Sequence, residues 1–249
     1  MTNVNSQQTG KNVVITGGSK GIGLATAHTF ARQGATLFLC ARNEITLYNT
    51  VAGLQTRFPS AIIKAKPADL SRKNEVLEFG SWILEEVGKH GNGSIDILVN
   101  NAGNFTPGSV YNEEDGLLET MVASNLYSAY YLTRQLVPRM IESGKGHIFN
   151  MCSIASLNAY ANGGSYSISK FALLGFSKNL REELKPLGIK VTAVVPGAVM
   201  TDSWEGFDNS SKRIMEANDI AEMIVAAASL SDQAVVEDII IRPLLGDLP

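Results

Sequence analysis

The sequence has little of what disulfide frameworks, zinc sites and membrane spans require. Its 249 residues include only two cysteines, Cys40 and Cys152, so no disulfide framework is indicated. Cys152 adjoins Ser153 and is expected to be a small buried filler, with a mildly reactive thiol as the alternative. The three histidines, His28, His90 and His147, show no cysteine/histidine spacing typical of zinc. No run of about eighteen apolar residues occurs. We therefore expect no catalytic metal and no membrane-spanning helix.

The chain also lacks an excess of positive charge. Lysine and arginine number 21 against 24 aspartate and glutamate residues, which gives a formal net charge of −3. Because no basic stripe stands out, nucleic acid is not an expected partner. Residues 1–10 are polar and lack the apolar core of a signal peptide. They are expected to form a flexible tail on a cytoplasmic protein.

Short apolar runs alternate with helical segments along most of the chain. The expected strands are Val13–Ile15, Thr36–Cys40, Ile62–Lys64, Ile95–Val99, His147–Met151, Lys190–Val195 and Ile239–Arg242. The expected helices are Leu24–Gln33, Ile45–Arg57, Lys73–Lys89, Leu117–Ile141, Tyr166–Leu187 and Ile220–Leu230, with Asp219 and Glu222 as a capping box for the last one. This alternation favours a parallel sheet covered on both faces. The prediction is one α/β domain over residues 11–249, a doubly wound Rossmann fold of about seven strands.

A glycine-rich turn lies between the first expected strand and the first expected helix. It reads Thr16-Gly17-Gly18-Ser19-Lys20-Gly21-Ile22-Gly23. Such a turn lets the backbone approach a phosphate closely, and the following helix N-terminus supplies N–H groups and the positive end of a dipole. The spacing is neither G-x-G-x-x-G nor a P-loop. A plain strand–helix turn is therefore the alternative interpretation.

A tyrosine and a lysine lie four residues apart at the start of a helical segment, Tyr166 and Lys170. This spacing places both side chains on one helical face. A free tyrosine has a pKa near 10, and a neighbouring ammonium is expected to lower the pKa of Tyr166. The pair then predicts a proton donor that works near neutral pH. A surface pair without chemistry is the alternative.

Further motifs follow these in the chain. They are Asn100-Asn101-Ala102-Gly103 after the fourth expected strand, Asn125 in a helical segment, Ser153 thirteen positions before Tyr166, and Pro196-Gly197-Ala198-Val199-Met200-Thr201 after the sixth strand. Together with the glycine-rich turn and the Tyr166/Lys170 pair, they resemble the classical short-chain dehydrogenase/reductase family over roughly residues 11–243. Several of these motifs follow strand ends, where ligands bind in doubly wound sheets.

The resemblance implies a dinucleotide-dependent oxidoreductase, usually a homodimer or homotetramer, that acts on a small carbonyl substrate. Its catalytic residues would be Asn125, Ser153, Tyr166 and Lys170. Tyr166 would deliver a proton, Ser153 would bond the carbonyl oxygen, and Asn125 would support a water-linked proton path to Lys170. The residues implied to bind the cofactor are Gly17, Ser19, Lys20, Gly21, Ile22, Gly23, Arg42, Asp69, Asn101, Ala102, Gly103, Tyr166, Lys170, Pro196, Gly197, Val199 and Thr201.

The end of the second expected strand indicates which dinucleotide is bound. An NAD-selective site commonly places an acid there, whereas an arginine suits a ribose 2′-phosphate. This chain has Ala41 and then Arg42, with Lys20 as a second cation in the glycine-rich turn. The prediction is NADP(H). Asp69 is expected either to contact the adenine, as the resemblance implies, or to cap the helix at Lys73–Lys89.

The predicted reaction is NADPH-dependent reduction of a ketone or aldehyde to an alcohol. The resemblance implies that the seventeen residues between Thr201 and Asp219 form a short lid over the substrate. Trp204, Phe207 and Met215 in this lid either cover an apolar substrate or pack the lid on the body of the domain. An alternative is a 3-oxoacyl carrier-protein reductase. The chain lacks the Gly-Gly segment that often follows the last strand in those enzymes, so it looks more like the sepiapterin-reductase-like and carbonyl-reductase branch. A non-catalytic NADP-binding regulator is a further alternative from a different class.

Overall fold

A computed structural model describes residues 8–90, 93–201, 204 and 206–247. The strands in these residues are β1 (Asn12–Thr16), β2 (Thr36–Cys40), β3 (Ile63–Ala65), β4 (Ile97–Asn100), β5 (Gly146–Met151), β6 (Ile189–Pro196) and β7 (Asp238–Ile241). They form one sheet in the order β3-β2-β1-β4-β5-β6-β7, and every pair of neighbours is parallel. The predicted doubly wound Rossmann fold is therefore confirmed.

Helices cover both faces of this sheet. They are α1 (Gly21–Arg32), α2 (Glu44–Arg57), α3 (Lys73–His90), α4 (Leu117–Val122), α5 (Ser128–Ser143), α6 (Gly164–Leu184) and α7 (Ala217–Ala228). α1, α2 and α7 share one apolar core, whereas α3 and α5 share the core of the opposite face, where α6 also packs. The two-sided burial explains why the strands are continuous apolar runs without alternation.

Strand residues alternate between the two cores. Val13 and Ile15 of β1 belong to the core under α1, while Val14 between them belongs to the core under α3. Leu37 and Phe38 of β2 divide in the same way. All of these side chains are fully buried. Because each such burial stabilises the fold by about 1.5–3 kcal/mol, the register of the strands is strongly fixed.

The sheet order reverses between β1 and β4. The chain runs outward from β1 to β3 on one side, crosses back, and continues outward from β4 to β7 on the other. The connections that leave the carboxyl ends of β1 and β4 consequently diverge. They leave a crevice at this edge of the sheet, which is the position where ligands bind in doubly wound folds.

The helix predicted over Leu117–Ile141 is interrupted in the structure. A π-turn at Ala123–Tyr127 separates α4 from α5, and Asn125 lies in its middle. Single π-turns inside helices often occur at functional sites, because the wider turn re-aims one side chain or carbonyl. Apolar periodicity predicts the helical stretch. It does not reveal the π-turn, which widens the helix by one residue only.

The predicted capping box of the last helix is wrong. The structure starts α7 at Ala217, so the reciprocal pair is Glu216 at the N-cap with Asp219 three residues later, and Asp219 Oδ2 accepts from the Glu216 N–H at 3.0 Å. Glu222 instead pairs with Arg32 of α1 at 2.6 Å. Both alternatives place an acid three residues after a polar residue, so the sequence pattern alone does not choose between them.

The amino-terminal segment is attached to the domain before residue 11. Gln8 is fully buried, and its Nε2 donates to Ser229 Oγ at 2.9 Å. The structure thus differs at Gln8 from the flexible tail expected over residues 1–10. Residues 1–7 of that tail lie outside the described residues.

His147 on β5 makes the fold sensitive to acid. Its ring is buried against Phe149 and lies 2.7 Å from Thr192 Oγ1. Burial, helped by the charges of Lys190 and Lys11, lowers the pKa of His147 from 6.5 to about 3. Between these pKa values the unfolded chain binds a proton that the folded chain does not, so the free energy of unfolding falls as pH falls through this window.

We expect the wild type to lose about 2 kcal/mol of stability between pH 7.5 and pH 5.0 through this group, since one fully coupled proton corresponds to ~1.4 kcal/mol per pH unit. His147→Gln should remove that part of the pH dependence while lowering stability at pH 7.5. Urea unfolding at the two pH values measures both effects. Equal pH slopes for the wild type and the variant would contradict the assignment.

Candidate active site

The glycine-rich turn between β1 and α1 is fastened to the end of β4 by two side chains. Thr16 Oγ1 accepts from the backbone N–H groups of Asn101 and Ala102, each at 2.9 Å. Asn101 Nδ2 donates to the carbonyl oxygens of Thr16 and Gly17 at 2.9 and 3.2 Å. The side chain of Asn101 therefore holds the turn in place, and its predicted contact with a cofactor stays a prediction.

Two positions of this turn require glycine, one because of its backbone conformation and one because of crowding. Gly17 has a φ of +65°, in the left-handed region that L side chains rarely adopt. A Cβ on Gly23 would lie 2.1 Å from the carbonyl oxygen of Gly17 and 2.6 Å from Asn101 Nδ2. The glycines thus allow the start of α1 to pack directly on the end of β1.

The start of α1 fits a phosphate group. Its N-cap residue, Lys20, makes no side-chain cap hydrogen bond, and no acidic residue lies in its first turn. The first N–H groups of a helix have no carbonyl partner within it, and the helix dipole places partial positive charge there. Bare glycine backbone beside an uncapped helix N-terminus is what the pyrophosphate of a dinucleotide requires.

Ser153, Tyr166 and Lys170 come together beyond the carboxyl end of β5. Ser153 follows this strand and caps the short 3₁₀ turn Ile154–Ser156, while Tyr166 lies in the first turn of α6. The side chain of Ser153 lies close enough to the Tyr166 hydroxyl group to lower the pKa of Tyr166. Lys170 Nζ lies 5.8 Å from the centre of the Tyr166 ring and donates to the carbonyl oxygen of Met151 at 2.7 Å. The sequence therefore predicted correctly that Tyr166 and Lys170 share one face.

The expected acidification of the tyrosine is wrong for this structure. Burial raises the pKa of Tyr166 to about 12, and the hydrogen bond from Ser153 only partly opposes that shift. Burial also lowers the pKa of Lys170 to about 8. In both cases removal from water disfavours the charged form, and this effect is the largest one. The phenol consequently stays protonated at neutral pH, which is the state that a proton donor needs.

Asn125 has every polar atom of its side chain engaged. Its Nδ2 donates to the Asn104 carbonyl oxygen at 3.0 Å and to Ser169 Oγ at 2.9 Å, and its Oδ1 accepts from the Asn104 N–H at 2.7 Å. Ser169 Oγ in turn donates to the backbone carbonyl of Tyr166 at 2.7 Å. Asn125 therefore connects the segment after β4 with the start of α6. It is brought to the Tyr166/Lys170 cluster, as predicted.

The residues expected to bind the adenosine part of the dinucleotide lie around the end of β2. Arg42 and Lys20 are both exposed, and Arg42 donates to Asn104 Oδ1 at 3.1 Å. Asp69 precedes α3, and its Oδ1 accepts from the Ser71 N–H and hydroxyl at 3.1 and 2.8 Å. The turn at Asp69 is thus stabilised by the chain itself, so its predicted adenine contact remains a prediction.

The segment after β6 returns to the glycine-rich turn. Gly197 N–H donates to the Ile241 carbonyl oxygen at 2.8 Å, and buried Val199 pairs with Met215. A Cβ on Gly21 would lie 3.1 Å from Thr201 Cγ2, so Thr201 rests on the start of α1. Of the predicted cofactor residues Pro196, Gly197, Val199 and Thr201, the structure thus places Thr201 against the glycine-rich turn, and the cofactor contacts of all four stay predictions.

Of the three apolar side chains in the predicted lid, one lies in the core and two lie outside it. Met215 belongs to the core under α1, so it packs the lid on the body. The rings of Trp204 and Phe207 lie edge to face at 5.3 Å from each other and stay partly exposed. These two rings remain candidates for covering a substrate.

Sequence reasoning missed three residues at this site. Asn104 brackets Asn125 with its backbone, and Phe105 packs edge to face on the Tyr166 ring with 4.8 Å between ring centres. Glu113 accepts hydrogen bonds from the first turn of α6. All three lie in the segment between β4 and α4, which has no periodic pattern. Only their position after the Asn-Asn-Ala-Gly motif could have drawn attention to them.

Other groups of the described residues supply no second reactive centre. Burial raises the pKa of Cys152 to about 11, so this thiol is a filler as expected, and burial raises that of Cys40 to about 12, so Cys40 is equally unreactive. The part of the chain that the structure describes has no cluster of three or more metal-ligating side chains. Within the same ranges, no helix has the length and apolar character needed to cross a membrane.

Comparison with known proteins agrees with this geometry. The short chain dehydrogenase family matches residues 11–212 of the chain. An uncharacterized oxidoreductase of Staphylococcus saprophyticus is 31% identical over 234 residues, which cover 94% of this chain and 97% of the relative. Another from Staphylococcus epidermidis is 30% identical over 236 residues, with 94% and 97% covered. A dinucleotide-type crevice with Ser153, Tyr166 and Lys170 beside it defines an oxidoreductase. The chain belongs to the short-chain dehydrogenase family.

Solved structures of similar fold include dinucleotide complexes. A metagenomic short-chain oxidoreductase in complex with NADP superimposes with a TM-score of 0.81 at 29% identity, covering 95% of this chain and 98% of the other. L-Sorbose reductase from Gluconobacter frateurii, complexed with NADPH and L-sorbose, superimposes with a TM-score of 0.84 at 27% identity, covering 94% and 96%. Almost the whole domain is therefore shared with these proteins.

Proposed function

We propose that this protein reduces the carbonyl group of a small ketone or aldehyde to an alcohol, with NADPH as the hydride source and Tyr166 as the proton donor. The observation that carries the proposal is the convergence of Ser153, Tyr166 and buried Lys170 beyond the carboxyl end of β5, with Tyr166 and Lys170 on the same face of α6. Support comes from the NADP and NADPH complexes of two similar structures.

The roles of the residues follow from their positions. The backbone of Gly17, Gly21 and Gly23 and the start of α1 would hold the pyrophosphate, and the dinucleotide supplies the hydride when bound. A carbonyl oxygen placed between the hydroxyl groups of Ser153 and Tyr166 accepts a hydrogen bond from each. Both bonds strengthen as negative charge develops on that oxygen, which stabilises the transition state. Tyr166 Oη then transfers its proton to the oxygen.

The ammonium group of Lys170 assists the proton transfer from Tyr166. A positive ammonium near Tyr166 favours the phenolate that remains after the proton has left. Its pKa near 8 keeps most of the amine protonated at pH 7. Asn125 joins the segment after β4 to the backbone of Tyr166 through Ser169. We infer that Asn125 holds the turn of α6 that carries the proton donor, and that the predicted water-linked path to Lys170 starts beside it.

NADPH should be preferred over NADH by at least about tenfold in kcat/KM, because a cation at Arg42 interacts with a 2′-phosphate and no acid is present to bind the 2′-hydroxyl. Arg42→Asp should remove this preference or reverse it. Initial rates with each dinucleotide measure the effect. Arg139→Asp, the same charge change on the solvent side of α5, serves as the control. Equal use of both dinucleotides by the wild type would defeat the prediction.

The substrate class is best tested by a screen of NADPH oxidation. Diketones, pterins and ketoses represent small carbonyl compounds, and 3-oxoacyl thioesters represent the alternative activity in fatty-acid synthesis. The partly exposed rings of Phe105, Trp204 and Phe207 favour compact apolar or flat substrates. Turnover confined to acyl thioesters would replace the proposal by the 3-oxoacyl carrier-protein reductase. NADPH binding without turnover on any carbonyl would favour a regulator.

We also propose a homo-oligomeric, cytoplasmic enzyme. Tyr127, Ile168 and Phe171, on the π-turn and α6, expose between 43% and 47% of their surface. An exposed apolar face on adjacent helices supports association with a second copy. Light scattering on a sizing column distinguishes a dimer or tetramer from a monomer.

A further inference from the structure

The first turn of α6 has no capping side chain of its own. Gly163 occupies the N-cap position, and it offers no side-chain oxygen to the exposed N–H groups of the turn. Terminal turns of helices fray more readily than their interiors. Tyr166 is the third residue of this helix, so fraying would move the proton donor directly.

A carboxylate from another part of the chain takes the place of the missing cap. Glu113, in the segment between β4 and α4, accepts from the Ser165 N–H through both oxygens, at 3.0 Å for Oε1 and 3.2 Å for Oε2. Ser165 Oγ donates to Oε1 at 2.9 Å. A charged acceptor at a helix N-terminus makes stronger hydrogen bonds and also interacts favourably with the helix dipole.

The backbone is shaped for this contact. Gly164 has a φ of +42°, and a Cβ on it would lie 2.5 Å from the Gly108 carbonyl oxygen and 3.0 Å from both carboxylate oxygens of Glu113. Gly108 N–H also donates to the Asn162 carbonyl oxygen at 3.1 Å, and Ser109 Oγ donates to Asn162 Oδ1 at 3.0 Å. The segment carrying Glu113 is therefore joined to the start of α6 at several points.

The same segment also contacts the proton donor itself. Phe105 packs edge to face on the ring of Tyr166, eight residues before Glu113. One segment thus determines the orientation of the Tyr166 ring through Phe105 and the position of its backbone through Glu113. Phe105 is 42% exposed, so the segment that holds the tyrosine also reaches the surface beside the Tyr166 ring.

We propose that Glu113 is a positioning residue, which caps α6 from the neighbouring segment and thereby fixes Tyr166 against Ser153. The proposal rests on the proposed function for its kinetic consequence but not for its structural one. Loss of the carboxylate should let the first turn of α6 open and lower the fraction of molecules with Tyr166 in place. Such a loss reduces kcat, while the glycine-rich turn and its cofactor contacts stay intact.

The kinetic test compares Glu113→Ala, Glu113→Gln and Glu114→Ala on the substrate found in the screen. Glu113→Ala should lower kcat about fivefold or more, with the dissociation constant for NADPH within twofold of wild type. Glu113→Gln keeps one acceptor oxygen and should recover part of kcat. Exposed Glu114, which adjoins Glu113, is the control and should match the wild type. A kcat for Glu113→Ala within twofold of wild type would overturn the proposal.

The structural test does not depend on turnover. Amide hydrogen exchange of the peptide covering residues 160–172 should be about fivefold faster in Glu113→Ala, the effect expected for loss of a typical cap. Exchange in α1 should be unchanged. If Glu113→Ala does not fold, Glu113→Gln and Ser165→Ala, which remove single hydrogen bonds, should each raise exchange in the same peptide. Unchanged exchange in the folded variants would sink the proposal, whereas faster exchange with no wild-type turnover would contradict only the proposed function.

Discussion

Tyr166→Phe is expected to lower kcat by at least about 100-fold while leaving NADPH affinity within a few-fold of the wild type. General acid catalysis contributes on the order of 10²–10⁴-fold, and this variant removes the only proton that the phenol can transfer. The ring, its contact with Phe105 and the amine of Lys170 remain. Steady-state rates and a fluorescence titration with NADPH separate the two effects.

Tyr48→Phe is the matched control for this variant. Tyr48 is 47% exposed on α2, on the opposite face of the sheet, so loss of its hydroxyl group should change neither rate nor binding. Near-normal turnover of Tyr166→Phe would rule out the proton-donor role. Loss of NADPH binding in the same variant would instead assign Tyr166 to the cofactor.

The pH dependence of the wild type bears on the same assignment. Since the pKa of Tyr166 is about 12 in this structure, the phenol is protonated throughout the neutral range. A donor in its protonated form needs no prior ionisation for reduction, whereas alcohol oxidation requires the phenolate as base. At neutral pH the phenol is therefore in the protonated form that the proposed reduction requires.

The architecture was predictable because many residues, in separate strands and helices, indicate it independently. The five inner strands of the sheet are buried over most of their length, whereas β3 and β7 at its edges bury one residue each, and the helices repeat their apolar residues along one face. The positions of Thr16, Asn100 and Ser153 at strand ends follow from that assignment alone. Boundaries shifted by up to three residues, as at Gly21 and Ala217, where the helix starts depend on local capping.

The electrostatics of the site were not predictable, because they depend on burial. A tyrosine four residues from a lysine looks the same in sequence whether the pair is exposed or desolvated. Here burial dominates, so the pKa of Tyr166 rises instead of falling. The contact of Glu113 with Ser165 spans 52 residues in sequence, and no local pattern joins them. Contacts between residues that are distant in sequence cannot be predicted from local patterns.

Gly23→Ala is expected to weaken NADPH binding about 30-fold or more and to lower stability. The added methyl group would lie 2.1 Å from the carbonyl oxygen and 2.8 Å from the carbonyl carbon of Gly17, and these backbone atoms cannot rotate away. Relief of the clash requires the glycine-rich turn and α1 to move apart, at a cost of about 1–3 kcal/mol. A displacement worth about 2 kcal/mol in binding corresponds to roughly 30-fold in affinity.

Gly53→Ala provides the control, because the added methyl group there contacts no other atom. Gly53 lies inside α2, and a Cβ on it has no heavy atom within 4 Å. Alanine is favoured over glycine in a helix interior by about 0.5–1 kcal/mol, so this variant should gain stability and bind NADPH normally. Calorimetric titration and urea unfolding of both variants give the comparison. Unimpaired binding by Gly23→Ala would place the phosphate site away from this turn, and the dinucleotide crevice between β1 and β4 would have to be reassigned.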